Sequence, residues 1–156
     1  MSRRNRLALV HNPYQGEYKK VLCVCSAGIL RSPTAALVLA QEFGYNTRAA
    51  GLETEFALIP VDDVLVAWAD EIVCMEKWQA EELKLRFEPT VSVYALGIED
   101  SYNYRDPLLI ELIKKNYLDI EIMRRAYEQQ PNVSGTDERG STEETNSPAT
   151  EGTGTV

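Results

Sequence analysis

Val21-Leu22-Cys23-Val24-Cys25-Ser26-Ala27-Gly28-Ile29-Leu30-Arg31-Ser32-Pro33-Thr34-Ala35 carries a short apolar run into a cysteine, a stretch of small and apolar residues, an arginine, a serine and a proline. The first four residues read as a buried strand of a parallel sheet, and Ser32-Pro33 reads as a helix start with Pro near its first turn. The loop between them aims its backbone N–H groups and the positive end of a helix dipole at one point in space. A dianionic phosphate fits that point. Arg31 adds a planar fork able to bind two phosphate oxygens at once, which Lys could not imitate. A cation at a helix start opposes the dipole and costs stability unless an anion is held there, and that conflict points to function.

The same field acts on Cys25. A thiol at a helix N-terminus beside an arginine is driven toward thiolate, so the nucleophile is charged without a histidine base. The only histidine, His11, lies far off in the N-terminal arm. Ser32 can donate a hydrogen bond to the sulfur and ease its departure from a phospho-enzyme. On its own Cys25 reads as a strand-end cysteine like Cys23; with Arg31-Ser32 in register it reads as a nucleophile.

Outward from this segment the chain alternates strands and helices. Residues 1–18 show no periodicity and contain Asn12-Pro13 and Gly16, so an irregular arm is predicted there. Strand one covers about 20–25, and a helix over about 32–43 ends at Gly44, a left-handed cap. Strand two is about 47–50, followed by a loop, Gly51 to Phe56, that forms one wall of the site. Pro60 opens a helix reaching Trp68. Strand three is 71–75, a helix with Trp78 and Leu83 on one side covers about 77–86, and strand four runs from Val91 to Leu96. Asp106-Pro107 begins a long helix in which Leu109, Leu112, Ile113, Ile120 and Met123 keep a 3.6-residue period toward the sheet. This order predicts an α/β fold, a four-stranded parallel sheet flanked by helices, with the site at the carboxyl edge of the strands. Residues 19–130 form the domain, and 131–156, almost without apolar residues, are predicted to be a disordered tail.

Size and charge narrow the function. The 156 residues suit one domain with a real core, and 44% are apolar. Nothing approaches the ~20 apolar residues of a membrane span, and the run Leu7 to Val10 is too short for a signal peptide, so a cytoplasmic location is expected. The net charge is −8; residues 1–20 carry +4 and 131–156 carry −4, which leaves −8 on the segment between. So acidic a core is a poor partner for nucleic acid or for an anionic membrane. The three cysteines, Cys23, Cys25 and Cys74, form no CxxC and no zinc-like set, and their odd, sparse count fits a reducing compartment. Cys23 and Cys25 share a strand face, which permits a vicinal redox or metal reading, but Cys23 sits where a buried strand takes any small hydrophobe.

Cys25-x5-Arg31-Ser32-Pro33 after an apolar strand resembles the low-molecular-weight protein tyrosine phosphatases, and most nearly a compact prokaryotic branch of predicted tyrosine phosphatases. The likeness extends to Ala49-Ala50-Gly51, to Trp68 through Lys77, and to Ile98-Glu99-Asp100-Ser101-Tyr102-Asn103-Tyr104, and so covers roughly residues 20 to 129. It implies a phosphotyrosine phosphatase I-like fold and hydrolysis of phosphotyrosine in proteins, or of a small phosphomonoester, through a cysteinyl phosphate, with no cofactor and no metal. By the same resemblance Cys25 attacks, while the loop Ser26, Ala27, Gly28, Ile29, Leu30, Arg31 and Ser32 binds the phosphoryl group.

The general acid comes from the loop after strand four, where Glu99, Asp100 and Asp106 are the candidates. Asp106-Pro107 matches the family's Asp-Pro literally, yet it is also a helix start with Asp as N-cap. The Ile98-Glu99-Asp100 step falls immediately after the strand, where the family's acid falls, so Asp100 is preferred. Tyr102 and Tyr104 then occupy the places of the family's ring-stacking tyrosines, although loop aromatics need no such role. Two departures stand out. Ala27-Gly28 replaces the family's usual Gly-Asn, and Gly28 keeps the left-handed freedom that Asn tolerates while losing its side-chain hydrogen bonds. Leu30 stands where many members carry a second cysteine, so disulfide protection of the nucleophile is absent.

Other readings exist. The cysteine loop of sugar-transport IIB phosphoryl carriers is similar in Cys25-Ser26-Ala27-Gly28, but such carriers do not need Arg31 or a downstream acid. A non-catalytic phosphate-binding relative is a further alternative. Arsenate reductases with similar loops need a relay of further cysteines, and none follows Cys74. Protein-arginine phosphatases tend to carry threonine where Ile29 stands, so Ile29 favours tyrosine.

Overall fold

The computed structural model describes residues 3–131, so the predicted tail lies outside the described residues apart from Pro131. Helix α1 (Arg3–Ala8) and a short 3-10 turn (Pro13–Gln15) precede strand β1 (Lys20–Cys25). Helix α2 (Arg31–Phe43), β2 (Asn46–Gly51), α3 (Asp63–Trp68), β3 (Glu71–Cys74), α4 (Lys77–Phe87), β4 (Val93–Ala95) and α5 (Pro107–Glu128) follow. The four strands form one parallel sheet in the order β2-β1-β3-β4. All the strand carboxyl ends therefore meet along one edge, where Cys25, Gly51, Cys74 and Ala95 lie.

Both faces of the sheet are covered, as a parallel sheet requires. Val21, Cys23, Cys25 and Val73 pack with Ala35, Val38 and Leu39 of α2 and with Leu109, Ile113 and Tyr117 of α5. Leu22, Val24, Ile72 and Cys74 face the other way, onto Val66 and Trp68 of α3 and Ala80 and Leu83 of α4. Buried on both sides, β1 and β3 read as continuous apolar runs rather than as an alternation. Helix α2 ends on Gly44 with φ 69°, its N–H returning to the carbonyl of Ala40. Among the described residues no helix is long and apolar enough to cross a membrane.

Four local expectations change. The arm is not irregular: it forms α1 and docks on α3, with Arg6 3.0 Å from Asp62 and the Trp68 indole N–H donating to Gln15. Pro60 does not open a helix but bridges to Gly51; Asp62 is the cap, accepting from the Leu65 N–H at 2.8 Å, and α3 starts at Asp63. Trp78 and Leu83 part company, Trp78 being 43% exposed and Leu83 fully buried. On α5 the innermost stripe is Leu109, Ile113, Tyr117 and Glu121, while Met123 faces solvent. A strict four-residue step carries this stripe away from Met123, because hydropathy alone cannot foresee that a tyrosine and a glutamate will find buried partners.

Candidate active site

The loop from Ser26 to Leu30 turns the chain from β1 into α2 with its one positive φ at Gly28, 71°. A second demand falls on the same residue. A Cβ added at Gly28 would stand 2.7 Å from the Gly51 backbone nitrogen, and one added at Gly51 would stand 2.6 Å from the Ala27 carbonyl carbon. Two glycines thus let the loop backbone lie directly on the end of β2. The neighbouring chain adds hydrogen bonds from Leu52 N–H to the Cys25 carbonyl (2.8 Å) and from Glu53 N–H to the Ser26 carbonyl (2.9 Å). No larger residue could replace Gly28 without moving β2, so the loop is held here by backbone contact.

Cys25 is 3% exposed. The Gly28 N–H donates to its Sγ at 3.1 Å, and the Ser32 hydroxyl lies 3.1 Å from the same sulfur. The Ser32 Oγ is also 3.3 Å from the Ala50 carbonyl. The Ser32 hydroxyl thus has both the sulfur and the Ala50 carbonyl within reach of its single hydrogen. Cys23 and Cys74 are different. Both are wholly buried in the apolar interior, and burial pushes the Cys74 thiol up to about 12 and the Cys23 thiol higher still, so both remain neutral.

Arg31 is 2% exposed, and three groups hold it. Its Nη1 donates to Glu76 Oε1 and to the Ile98 carbonyl (2.8 Å), and its Nε lies 3.4 Å from Asp100 Oδ1. Glu76, at the end of β3, was not singled out by sequence reading. It is the N-cap of α4 in a reciprocal box with Gln79, and its other oxygen accepts from the Trp78 indole N–H at 2.8 Å. Burial raises the Glu76 carboxyl, but the hydrogen bonds from Arg31 and Trp78 outweigh it and hold the group below its ordinary value. Gln79, also unforeseen, donates from Nε2 to Ser26 Oγ at 3.1 Å. The spacing Glu76-x-x-Gln79 was the available signal; it announces a capped helix, and only the fold reveals that the cap grips Ser26 and Arg31 on either side of the loop after β1.

Cys25, Ser26, Ala27, Ile29, Leu30, Arg31 and Asp100 line one cavity of about 180 Å³. The chain segments around residues 25–31 and 100, remote in sequence, meet there. Of the other acid candidates, Asp106 caps α5, accepting from the Leu108 N–H at 2.9 Å. Tyr102 and Tyr104 are not among the lining residues. Tyr102 packs on the core and borders a separate cavity with Leu108, Glu111, Leu112 and Lys115, while the Tyr104 hydroxyl accepts from Arg105 Nε at 3.0 Å. Among the described residues no three His, Cys, Asp or Glu side chains cluster to hold a metal ion.

No protein-family model and no curated protein sequence matches this chain. Solved structures do. The tyrosine phosphatase Wzb of Escherichia coli K30, solved with phosphate, is 17% identical over 72% of this chain and 99% of its own, with a TM-score of 0.53. The YwlE arginine phosphatase of Geobacillus stearothermophilus is 16% identical over 73% of this chain and 99% of its own, TM-score 0.52. A thioredoxin-dependent arsenate reductase of Corynebacterium glutamicum is 16% identical over 81% of this chain and 70% of its own, TM-score 0.50. At these identities the likeness establishes the fold, which is that of the low-molecular-weight protein tyrosine phosphatases. Three different activities on it leave the reaction to the site's own chemistry.

Proposed function

We propose that this chain is a cysteine-dependent phosphomonoesterase that hydrolyses phosphotyrosine in proteins, or a small aryl phosphate, in the cytoplasm. The observation that carries the reading is a buried arginine and a cysteine sulfur facing one small cavity, with a carboxylate 3.4 Å from that arginine at its mouth. A buried cation beside loop amides is a receptor for a dianion, and a cysteine inside that receptor attacks what it holds.

In this mechanism the loop amides and Arg31 bind the phosphoryl oxygens, and the Cys25 thiolate attacks phosphorus in line. The P–O bond to the phenol breaks as the S–P bond forms, and Asp100, protonated, delivers its proton to the leaving oxygen. Asp100, now a carboxylate, takes a proton from water; the hydroxide attacks phosphorus, the S–P bond breaks and inorganic phosphate leaves. Ser32 donates to the departing sulfur. At both steps charge is spread over the three equatorial oxygens, and the fixed dipoles of the loop hold them in the transition-state geometry.

Against a thiol relay of the arsenate reductase type, the other two cysteines are sealed in the core with raised thiol pKa values. Ile29, apolar and at the cavity wall, suits an aromatic leaving group better than a cationic one. Burst kinetics with para-nitrophenyl phosphate, together with acid trapping of phosphocysteine, tests the proposal. Steady turnover after a burst is expected; a stable phosphocysteine without release would make the chain a phosphoryl carrier, and no phosphorylation at all would make it a binding relative.

A further inference from the structure

We infer that Thr34 is a positioning residue that fixes the Asp100 loop against the phosphate loop through a single chain of hydrogen bonds, Arg105 N–H to Thr34 hydroxyl to Leu30 carbonyl. Thr34 is completely buried, one helical turn after Arg31 on α2. Its hydroxyl donates to the Leu30 carbonyl at 2.8 Å, a carbonyl that also takes the Thr34 backbone N–H at 3.3 Å. With its one hydrogen committed, the oxygen offers only lone pairs to the outside, and the Arg105 N–H meets them at 3.1 Å. The direction of the chain is therefore fixed, and each bond polarises the next.

The two ends of this chain matter more than its middle. Leu30 is the last residue before the phosphate-binding arginine and the N-cap of α2. Arg105 closes the loop that carries Asp100, and its φ of 56° lies in the left-handed region that a side chain other than glycine, asparagine or aspartate avoids. A strained backbone persists where its surroundings over-determine it, and the bond to Thr34 is one such restraint. The loop's front is already tied to the same helix, because Arg31 Nη1 donates to the Ile98 carbonyl and its Nε pairs with Asp100. Arg31 and Thr34, three residues apart on one helix face, thus hold the acid loop at both of its ends. Asp100 itself is about two-thirds exposed and gains little from packing. Its position relative to the sulfur is set by these two anchors.

This inference rests on the phosphatase reading, and its test separates the two. Thr34→Val keeps the shape and removes both hydrogen bonds; Thr34→Ser keeps the hydroxyl. With Asp100 misplaced, kcat/KM on phenyl phosphate, which reads phosphoenzyme formation with a poor leaving group, should fall about tenfold or more in Thr34→Val, a fraction of the ~10²–10⁴ that a lost general acid costs. On 2,4-dinitrophenyl phosphate, whose leaving group needs no proton, kcat/KM should stay within about twofold, as should competitive inhibition by inorganic phosphate, and Thr34→Ser should restore kcat/KM on phenyl phosphate. Equal loss on both substrates, or no loss on either, overturns the inference. Amide exchange on the wild-type protein gives an independent readout. The Arg105 N–H should be strongly protected, and exchange at the rate of a free loop amide would overturn the staple whether or not Thr34→Val folds. Absence of turnover by the wild type on either substrate would count against the phosphatase reading alone and leave the exchange measurement to decide the staple.

Discussion

The same two strands carry a buried charge cluster at each end, and the clusters are built to opposite plans. At the amino end, Glu71 of β3 and Glu121 of α5 are almost fully buried, and Lys19, Arg124 and two tyrosines close around them. Glu71 accepts from Lys19 Nζ (2.8 Å), Arg124 Nη1 (2.9 Å) and the Tyr117 hydroxyl (2.7 Å). Glu121 takes Arg124 Nη2 and the Tyr45 hydroxyl, and Phe43, Tyr45 and Tyr117 pack ring against ring around the group. Two carboxylates face Lys19 and Arg124 inside a wall of aromatic rings, with Arg125 reaching Glu121 from the solvent side at 4.0 Å. At the carboxyl end a single buried cation, Arg31, lines a cavity and pairs with carboxylates that are more open to solvent, Glu76 one-quarter and Asp100 two-thirds exposed. The first cluster is complete and joins α5 to the sheet. The second borders a cavity of about 180 Å³, and that open volume is what distinguishes it from a strut.

The widest gap between the two ends should appear when Cys25 or Arg31 is changed. Cys25→Ser should abolish turnover while leaving vanadate affinity partly intact, because the amide cradle and Arg31 remain. Arg31→Lys should damage both, since a point charge cannot span two oxygens and cannot serve Glu76, Ile98 and a ligand together. Steady-state kinetics and vanadate inhibition read both outcomes, and hydrolysis retained in Cys25→Ser would remove the covalent mechanism. Next in size is Asp100→Asn, expected to slow hydrolysis of poor leaving groups by about 10²–10⁴ with the fold intact.

At the amino end the signature inverts: stability moves and activity per folded molecule does not. Glu71→Gln leaves Lys19 and Arg124 facing one carboxylate instead of two, and should cost on the order of 3 kcal/mol, read as a fall in Tm of roughly 10 °C. The cluster also carries a pH dependence. Burial raises the Glu121 carboxyl, but Arg124, Tyr117 and Lys19 outweigh it and hold it below its ordinary value in the folded protein. A depressed folded pKa stabilises at pH above the unfolded value, ~4.3, and that contribution disappears as pH falls through the folded value. Glu76 acts in the same direction at the other end. Melting curves from pH 7 to pH 3 should therefore fall steeply below about pH 4.5, and Glu121→Gln should flatten part of that fall without touching catalysis; an unchanged slope would dismiss the cluster as the acid-sensitive element.

These two ends were not equally legible in the sequence. Cys25, Arg31 and the flanking strand and helix are contiguous, so local rules of polarity and helix starts converge on them. That Asp100 reaches the Cys25 cavity was expected only through the family resemblance, since nothing local distinguishes it from Glu99 or Asp106. The amino-end cluster has no local signature, because Lys19, Glu71, Tyr117 and Arg124 come from four separate stretches and a lone Glu before Ile72-Val73 reads as a strand's polar edge. Glu76 and Gln79 sit between these cases: their spacing announced a cap, but the contact with Arg31 and Ser26 depends on the sheet bringing β3 beside β1. The α1 arm was missed for a similar reason, since a six-residue helix is held by docking on α3 rather than by its own periodicity.

The smallest effect belongs to Asp106, and it separates a literal motif match from a positional one. Asp106 accepts the Leu108 N–H at 2.9 Å ahead of Pro107, a helix N-cap with Pro at the first position, and it is not among the residues lining the Cys25 cavity. Asparagine caps a helix about as well as aspartate, so Asp106→Asn should leave both Tm and leaving-group dependence nearly unchanged. Alanine supplies no acceptor, so Asp106→Ala should cost on the order of 1 kcal/mol with a modest kinetic effect transmitted through Arg105. The asparagine pair is the sharper comparison, because at position 106 it preserves the cap and at position 100 it removes only the proton donor. Should Asp106→Asn produce the large loss on poor leaving groups and Asp100→Asn little change, the acid is Asp106, and α5 would have to shift toward the cavity when substrate binds.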